Sequence, residues 1–474
     1  MYIQETVKIR GQIMAILAAF MVPHPPMIVP AVGRGGESII EETTAAYNKV
    51  ADEIRELRPD TIIITSPHSI MYSDYFHISP GSGARGNFSR FGAPQVTFAE
   101  KYDTELRDRI CEIAEASDFP AGTLGERDAG LDHGTMVPLW FIRQKYTEGK
   151  IIRIGLSGLS LSDHYRLGEM IQQAVSEFDR RVVFVASGDL SHKLQESGPY
   201  GFAPEGPVYD DKIMDVAKRA AFGEMLEFSE SLCDKAAECG HRSFVIMAGA
   251  FDGVGIEPTV YSHQDVTGVG YGIASFYPIG SDDSRKFRDN YLKQLEKKLQ
   301  NDVETSDAYV RLARKSLESY ILKGNVIDVP SDIPSEMLSR RAGAFVSIHK
   351  EGKLRGCIGT ILPTTENIAE EIIQNAISAS TKDPRFNAIQ PEELPLLEIN
   401  VDVLGDPEDI ESPDELDVKR YGVIVSSGYR RGLLLPDLDG VDTVEEQISI
   451  ARRKGGIGED EPVKLQRFEV VRHI

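Results

Sequence analysis

Five short stretches carry residue types that do chemistry: Pro23-His24-Pro25, Ser66-Pro67-His68, Asp132-His133-Gly134, Ser187-Gly188-Asp189-Leu190-Ser191-His192 and Glu238-Cys239-Gly240. Only ten of the 474 residues are histidine, so the settings in which histidine occurs are informative. Proline fixes its own φ and pushes the preceding residue toward extended conformations, which leaves His24, framed by Pro23, Pro25 and Pro26, a narrow range of directions. A strand-ending turn accounts for that stretch taken alone; the five together point to one shared site. Two imidazoles and one carboxylate on one face of a metal leave the opposite face open for substrate and dioxygen, the ligand set of non-haem Fe(II) oxygenases. A further imidazole near neutrality can take a proton from a substrate and later return it. Asp189, three residues before His192, can orient that ring if the turn brings it close.

The elements that must hold these groups alternate between strand and helix. Ile13–Val22, Thr61–Ser66, Ile151–Leu156 and Val182–Ala186 read as buried strands. Helices are predicted over Glu37–Leu57, Ala99–Ala116, Leu167–Phe178 and Asp210–Arg219. Short, uninterrupted apolar strands separated by helices imply a mixed sheet covered on both faces, hence an α/β first domain. In such sheets ligands bind beyond the carboxyl ends of the strands, where His24, His68 and His192 all fall. The predicted division is residues 1–281, a charged helical linker over 282–302, and a second domain over 303–474. That domain reads as α+β, with helices Asp307–Leu322 and Thr365–Ala379 and strands Gly343–His349 and Leu397–Leu404.

Composition narrows the function classes. A formal net charge of −22 with no basic tract argues against nucleic acid or an anionic membrane as partner. The apolar run ending at Val22 is too short for a bilayer and reads as a strand. Four scattered cysteines without CxxC spacing indicate neither a disulfide framework nor a zinc knuckle, and fit a reducing cytoplasm. His77, His164, His241, His263, His349 and His473 belong to no constellation and read as solvent-facing or core residues.

The five stretches, in order over residues 14 to 278, resemble the LigB-type class III extradiol dioxygenases. The resemblance implies Fe(II) held by His24, His68 and Glu238, His192 as the acid/base, His133 as a donor to substrate or oxygen, and a catechol-type aromatic cleaved with O2. Cys239 beside Glu238 introduces an alternative, because the Memo family, a branch of the same fold, is described as keeping a metal-capable site that includes a cysteine without the dioxygenase activity. In an extended segment neighbouring side chains point to opposite faces, so Glu238 and Cys239 would not ligate the same metal. A thiolate ligand favours Cu(I) or Zn. The Glu-x-Gly pattern follows the dioxygenases and favours Glu238.

In the second half, "KLRGCIGT", "DPRF", "LEINVDVL" and "GLLLP" resemble the AMMECR-type domain, which brings no settled activity. Arg355, Cys357, Asp383 and Arg385 form a possible second site, able to pair or hold an anion, with Gly356 and Gly359 permitting close backbone approach. The alternative is a small apolar Cys357 in a tight turn with structural charges around it. The two domain types on one chain resemble the AmmeMemoRadiSam arrangement, which implies a radical S-adenosylmethionine enzyme as partner. The expected function is therefore an Fe(II)-dependent ring-opening module fused to an AMMECR module, with a non-catalytic metal-binding or assembly protein as the alternative.

Overall fold

Alternate residues of the buried strands feed two different cores. Ala18, Phe20, Val22, Ile62, Ile64, Val183 and Val185 enter one, while Ala19, Met21, Ile63, Phe184 and Ala186 enter the other. This is the physical origin of the uninterrupted apolar runs, because a strand alternates its side chains and both faces are covered. A computed structural model describes residues 16–127, 130–438 and 440–474, so the predicted strand residues Ile13 to Ala15 lie outside the described residues.

The six-stranded sheet runs in the order Lys150–Gly155, Thr61–Ser66, Val182–Ser187, Ile16–Val22, Tyr271–Ser281, Val254–Gln264. The first four strands are mutually parallel, and Tyr271–Ser281 pairs antiparallel with both of its neighbours, a mixed sheet. Helices Glu41–Leu57 and His133–Lys145 cover one face. Helices Thr104–Ala116, Leu161–Ser176, Glu205–Arg219 and His241–Gly249 cover the other.

One predicted helix is corrected at its start. Residues Ala93–Lys101 form a strand paired with Gly83–Phe88, and the helix begins only at Thr104, where the Asp103 carboxylate accepts the Leu106 N–H. Alternating exposure along Gln95 to Lys101 is the strand signature that a helical reading of the segment overlooks.

The chain divides into two units, residues 1–291 and 292–474, and the division falls inside the helix Phe287–Thr305. Charge on nearly every turn leaves Leu299 as that helix's one buried residue. In the second unit, helices Ala308–Lys323 and Ile368–Thr381 share a core with the strands Ala344–Lys350 and Leu397–Leu404. Those strands lie in a sheet ordered Lys353–Gly359, Ala344–Lys350, Leu397–Leu404, Lys464–His473, Tyr421–Ser427, Arg430–Leu434. Among the described residues no helix is long and apolar enough to cross a membrane.

Candidate metal centre

Thr61–Ser66, Val182–Ser187 and Ile16–Val22 are neighbours in the sheet and parallel, so the segments leaving their carboxyl ends emerge side by side. His68, the Asp189 to His192 loop and His24 follow those ends directly. Lateral spacing of strands, about 4.8 Å, is what converts three remote sequence positions into one cluster.

His24 is 1% exposed, and its preceding carbonyl, on Pro23, accepts the Tyr47 hydroxyl. Its Nδ1 lies 3.0 Å from Ser187 Oγ. That hydroxyl donates its single proton to the Gly134 carbonyl at 2.6 Å, so it must accept from His24. That places the proton on Nδ1 and leaves Nε2 as an acceptor. It faces His68 Nε2 at 3.0 Å and Cys239 Sγ at 3.5 Å.

Asp132 supports the His68 side. Its Oδ1 accepts the Ser66 hydroxyl at 2.6 Å and caps the helix His133–Lys145 through Thr135 N–H at 2.9 Å, while Ser66 Oγ in turn accepts the His68 N–H at 3.2 Å. Gly134 is required there, since a Cβ would stand 2.4 Å from Ser66 Oγ. His133, at the start of that helix, stacks on His68 with centroids 4.0 Å apart and lies 5.4 Å from the His24 ring.

Asp189 ties the third segment in. Its Oδ1 accepts the His24 backbone N–H at 2.7 Å, and its Oδ2 lies 4.0 Å from His24 Nε2 and 3.8 Å from His192 Nε2. Asp189 and His192, whose contact the spacing predicts, thus approach to 3.8 Å, and Tyr200 stacks on His192 with centroids 5.0 Å apart. The Asp189 N–H points at Cys239 Sγ, 3.3 Å away.

Two groups of potential ligand atoms result, His24 with His68 and Cys239, and Asp189 with His192 and Cys239, each within 4.8 Å. Glu238 is not among them. Its carboxylate turns to the first turn of the helix His241–Gly249 and accepts the His241 N–H at 2.6 Å, where the helix dipole favours a negative group. Amides of both Cys239 and Gly240 donate to the Asp189 carbonyl, at 3.4 and 3.1 Å, and this clamp faces Cys239 toward the histidines. The residues that sequence reasoning missed are Ser187, Ser66 and Asp132, which orient imidazoles, and Tyr200. Ser66, Asp132 and Ser187 sit inside the quoted motifs, whereas nothing local marks Tyr200.

Electrostatics keeps the imidazoles neutral. Loss of solvent, reinforced by the neighbouring rings, holds His68 down to about 3 and His133 down to about 4, and burial lowers His24 as well. Burial pushes Glu238 up to about 7 and raises the Cys239 thiol strongly, helped there by the carboxylates of Asp189 and Glu238. Burial also works to raise Asp189, but His24 and His192 outweigh it and hold the carboxylate below its usual range. Neutral imidazole lone pairs are the form a cation binds, and a cation would displace the thiol proton.

In the second unit Asp383, Arg385 and Cys357 come together. Asp383 accepts the Cys357 N–H at 2.9 Å and the Arg385 guanidinium at 2.7 Å; Arg385 also donates to the Cys357 carbonyl at 3.2 Å, and the Ser347 hydroxyl to its sulfur at 3.3 Å. Arg355 does not join them, because its guanidinium forms a two-pronged pair with Glu393 at 3.0 and 2.9 Å.

The fold and site define a class: an α/β domain with a cation-ready cluster at the carboxyl ends of its parallel strands, on one chain with an α+β domain. Residues 18–274 match the family described as the catalytic LigB subunit of aromatic ring-opening dioxygenase, and residues 310–473 match AMMECR1. The chain belongs to the LigB family, fused to an AMMECR1 domain. A Clostridium acetobutylicum protein is 40% identical over 97% of this chain and 99% of its own length. A Thermotoga maritima protein is 53% identical over 35% of this chain and 96% of its own. The crystal structure of an uncharacterized protein from Pyrococcus horikoshii, 34% identical, covers 36% of this chain and 90% of its own with a TM-score of 0.33.

Proposed function

We propose that the first domain is a metal-binding module of Memo-like type, with His24, His68 and Cys239 as ligands for Zn(II) or Cu(I). The supporting observation is the approach of Cys239 Sγ to 3.5 Å, and of His68 Nε2 to 3.0 Å, from an unprotonated His24 Nε2. Two imidazoles and a thiol accepting an amide N–H make a donor set that fits soft or borderline ions. Such an ion, when bound, supplies Lewis acidity. The Asp189 carboxylate, 3.8 Å away, would orient the His192 ring, which can hold or release a proton beside the site, and Tyr200 stacks on that ring. Metal analysis of protein purified without oxygen tests the ligand set: Cys239→Ser and His68→Ala should lose the metal, whereas Glu238→Gln should keep it. The reverse pattern for the two neighbours would restore the carboxylate set His24, His68 and Glu238.

Membership of the LigB family and the Asp189–His192 contact favour a second reading, Fe(II)-dependent ring cleavage of a catechol with His192 as acid/base and His133 as donor. Oxygen uptake by Fe(II)-loaded protein on a catechol panel is its test. There His192→Ala should keep the iron and lose about 10²–10⁴-fold in turnover. In either case the pairing of LigB and AMMECR1 domains supports work alongside a radical S-adenosylmethionine enzyme, which co-purification of the two tests directly.

A further inference from the structure

A cavity of about 560 Å³ opens beside the candidate metal centre. His68 and His133 line one side, and Arg85, Asn87, Ser89 and Arg90 line the other. The second wall is a hairpin made by Gly83–Phe88 and Ala93–Lys101, joined through the turn Ser89–Phe91. Arg85 and Asn87 fall on one face of its first strand, while Ala84 and Phe88 are buried on the other. Phe91, next to Arg90, packs its ring edge-on against His133 with centroids 5.3 Å apart, which brings the hairpin tip to the metal side of the cavity.

The charges of this wall are unusual for the chain. Three guanidiniums line the cavity. Arg153 is engaged: its side chain is 2% exposed, lies 3.6 Å from the Asp132 carboxylate and donates to Ser79 at 2.7 Å. Arg85 and Arg90 have no carboxylate within ion-pair distance among the described residues, although the chain carries 74 acidic side chains against 52 lysines and arginines. Two guanidiniums facing one cavity repel each other unless something negative lies between them. Guanidinium forks match oxyanions, and the amide of Asn87 and hydroxyl of Ser89 add neutral donors on the same wall. The volume suits a small molecule.

We propose that Arg85 and Arg90 form an oxyanion-binding subsite, so that this cavity takes a small molecule with a phosphate or carboxylate group at the hairpin and its remaining body directed toward His68 and His133. Two cations without a carboxylate at ion-pair distance among the described residues, together with two neutral donors, match a dianionic phosphate monoester better than a carboxylate. The metal reading enters only in naming the far end of the cavity as the reactive one.

Calorimetric titration of the full chain with phenyl phosphate, benzoate and phenol tests the subsite, with and without added zinc. The anions should bind at least about tenfold more tightly than phenol, by an advantage that shrinks with salt. Phenyl phosphate ahead of benzoate identifies the phosphate source, and the reverse order the carboxylate source. Arg85→Gln with Arg90→Gln should erase the advantage; both residues are exposed, so folding is not at risk. Arg90→Lys should retain part of it. Zinc content should be unchanged in both variants. Equal affinity for anions and phenol in the natural chain, or an undiminished advantage in the double variant, would overturn the subsite. Loss of zinc binding from the natural chain with the anion preference intact would defeat the metal reading and leave the subsite standing.

Discussion

Gly188 and Gly240 are in backbone contact: a Cβ on Gly188 would stand 2.0 Å from the Gly240 Cα. No side chain fits between the loop that carries Asp189 and His192 and the turn that carries Cys239. A Cβ on Gly240 would itself meet the Phe244 ring at 2.5 Å and the Gly188 carbonyl carbon at 2.9 Å. Gly240→Ala should therefore push the two segments apart, lower stability by about 1–3 kcal/mol, and weaken zinc binding by more than the stability change explains. Urea denaturation together with a zinc titration of the folded variant checks both.

Ser187 sets the tautomer of His24 by accepting its Nδ1 proton while donating to Gly134. Ser187→Ala removes that acceptor and frees the ring to carry its proton on Nε2. Metal affinity should fall by about 10–100-fold, the usual effect of losing a partner that orients a ligating histidine. Competition with a chromophoric chelator reads this directly.

His241 is buried, 2.9 Å from the Met225 carbonyl, and burial holds it down to about 4, against 6.5 for a free imidazole. Below pH 6.5 the unfolded chain binds a proton that the folded chain refuses, so stability falls as pH drops from about 6.5 toward 4 and is fully regained above it. Urea midpoints of metal-free protein should decline across this window, and His241→Gln should flatten the decline. An equal slope in the variant would remove His241 as a cause.

Among the four cysteines, burial pushes Cys111 up to about 11 and raises Cys233 and Cys239 strongly. Cys357 is half-buried, and the Ser347 hydroxyl donates to its sulfur at 3.3 Å. The thiolate is the form that alkylates, and burial withholds it from the other three. Iodoacetamide at pH 8 should label Cys357 at least about tenfold faster than those three; peptide mass mapping over a time course gives the rates.

The sequence made a good part of this legible. The run Thr61–Ser66 was readable to the residue because a strand buried on both faces leaves an uninterrupted apolar signature, and Leu397–Leu404 was readable because its apolar residues alternate with Glu398, Asn400 and Asp402. The helix start at Thr104 was not, since Ala93–Lys101 is a half-exposed strand whose partner Gly83–Phe88 must be known before its pattern makes sense.

The sequence by itself determined that His24, His68 and His192 follow strand ends of an α/β sheet, because each motif directly follows its own apolar run; that the three strands lie side by side came from the sheet order. Only the tertiary structure decided which of the adjacent residues Glu238 and Cys239 faces them. That choice depends on the Asp189 carbonyl receiving the Cys239 and Gly240 amides and on the Gly188–Gly240 contact, interactions between segments about fifty residues apart that no local pattern encodes. The same holds for Arg85 and Arg90. Their charge is written in the sequence, but the absence of a carboxylate beside them among the described residues, and the cavity they line, come from packing.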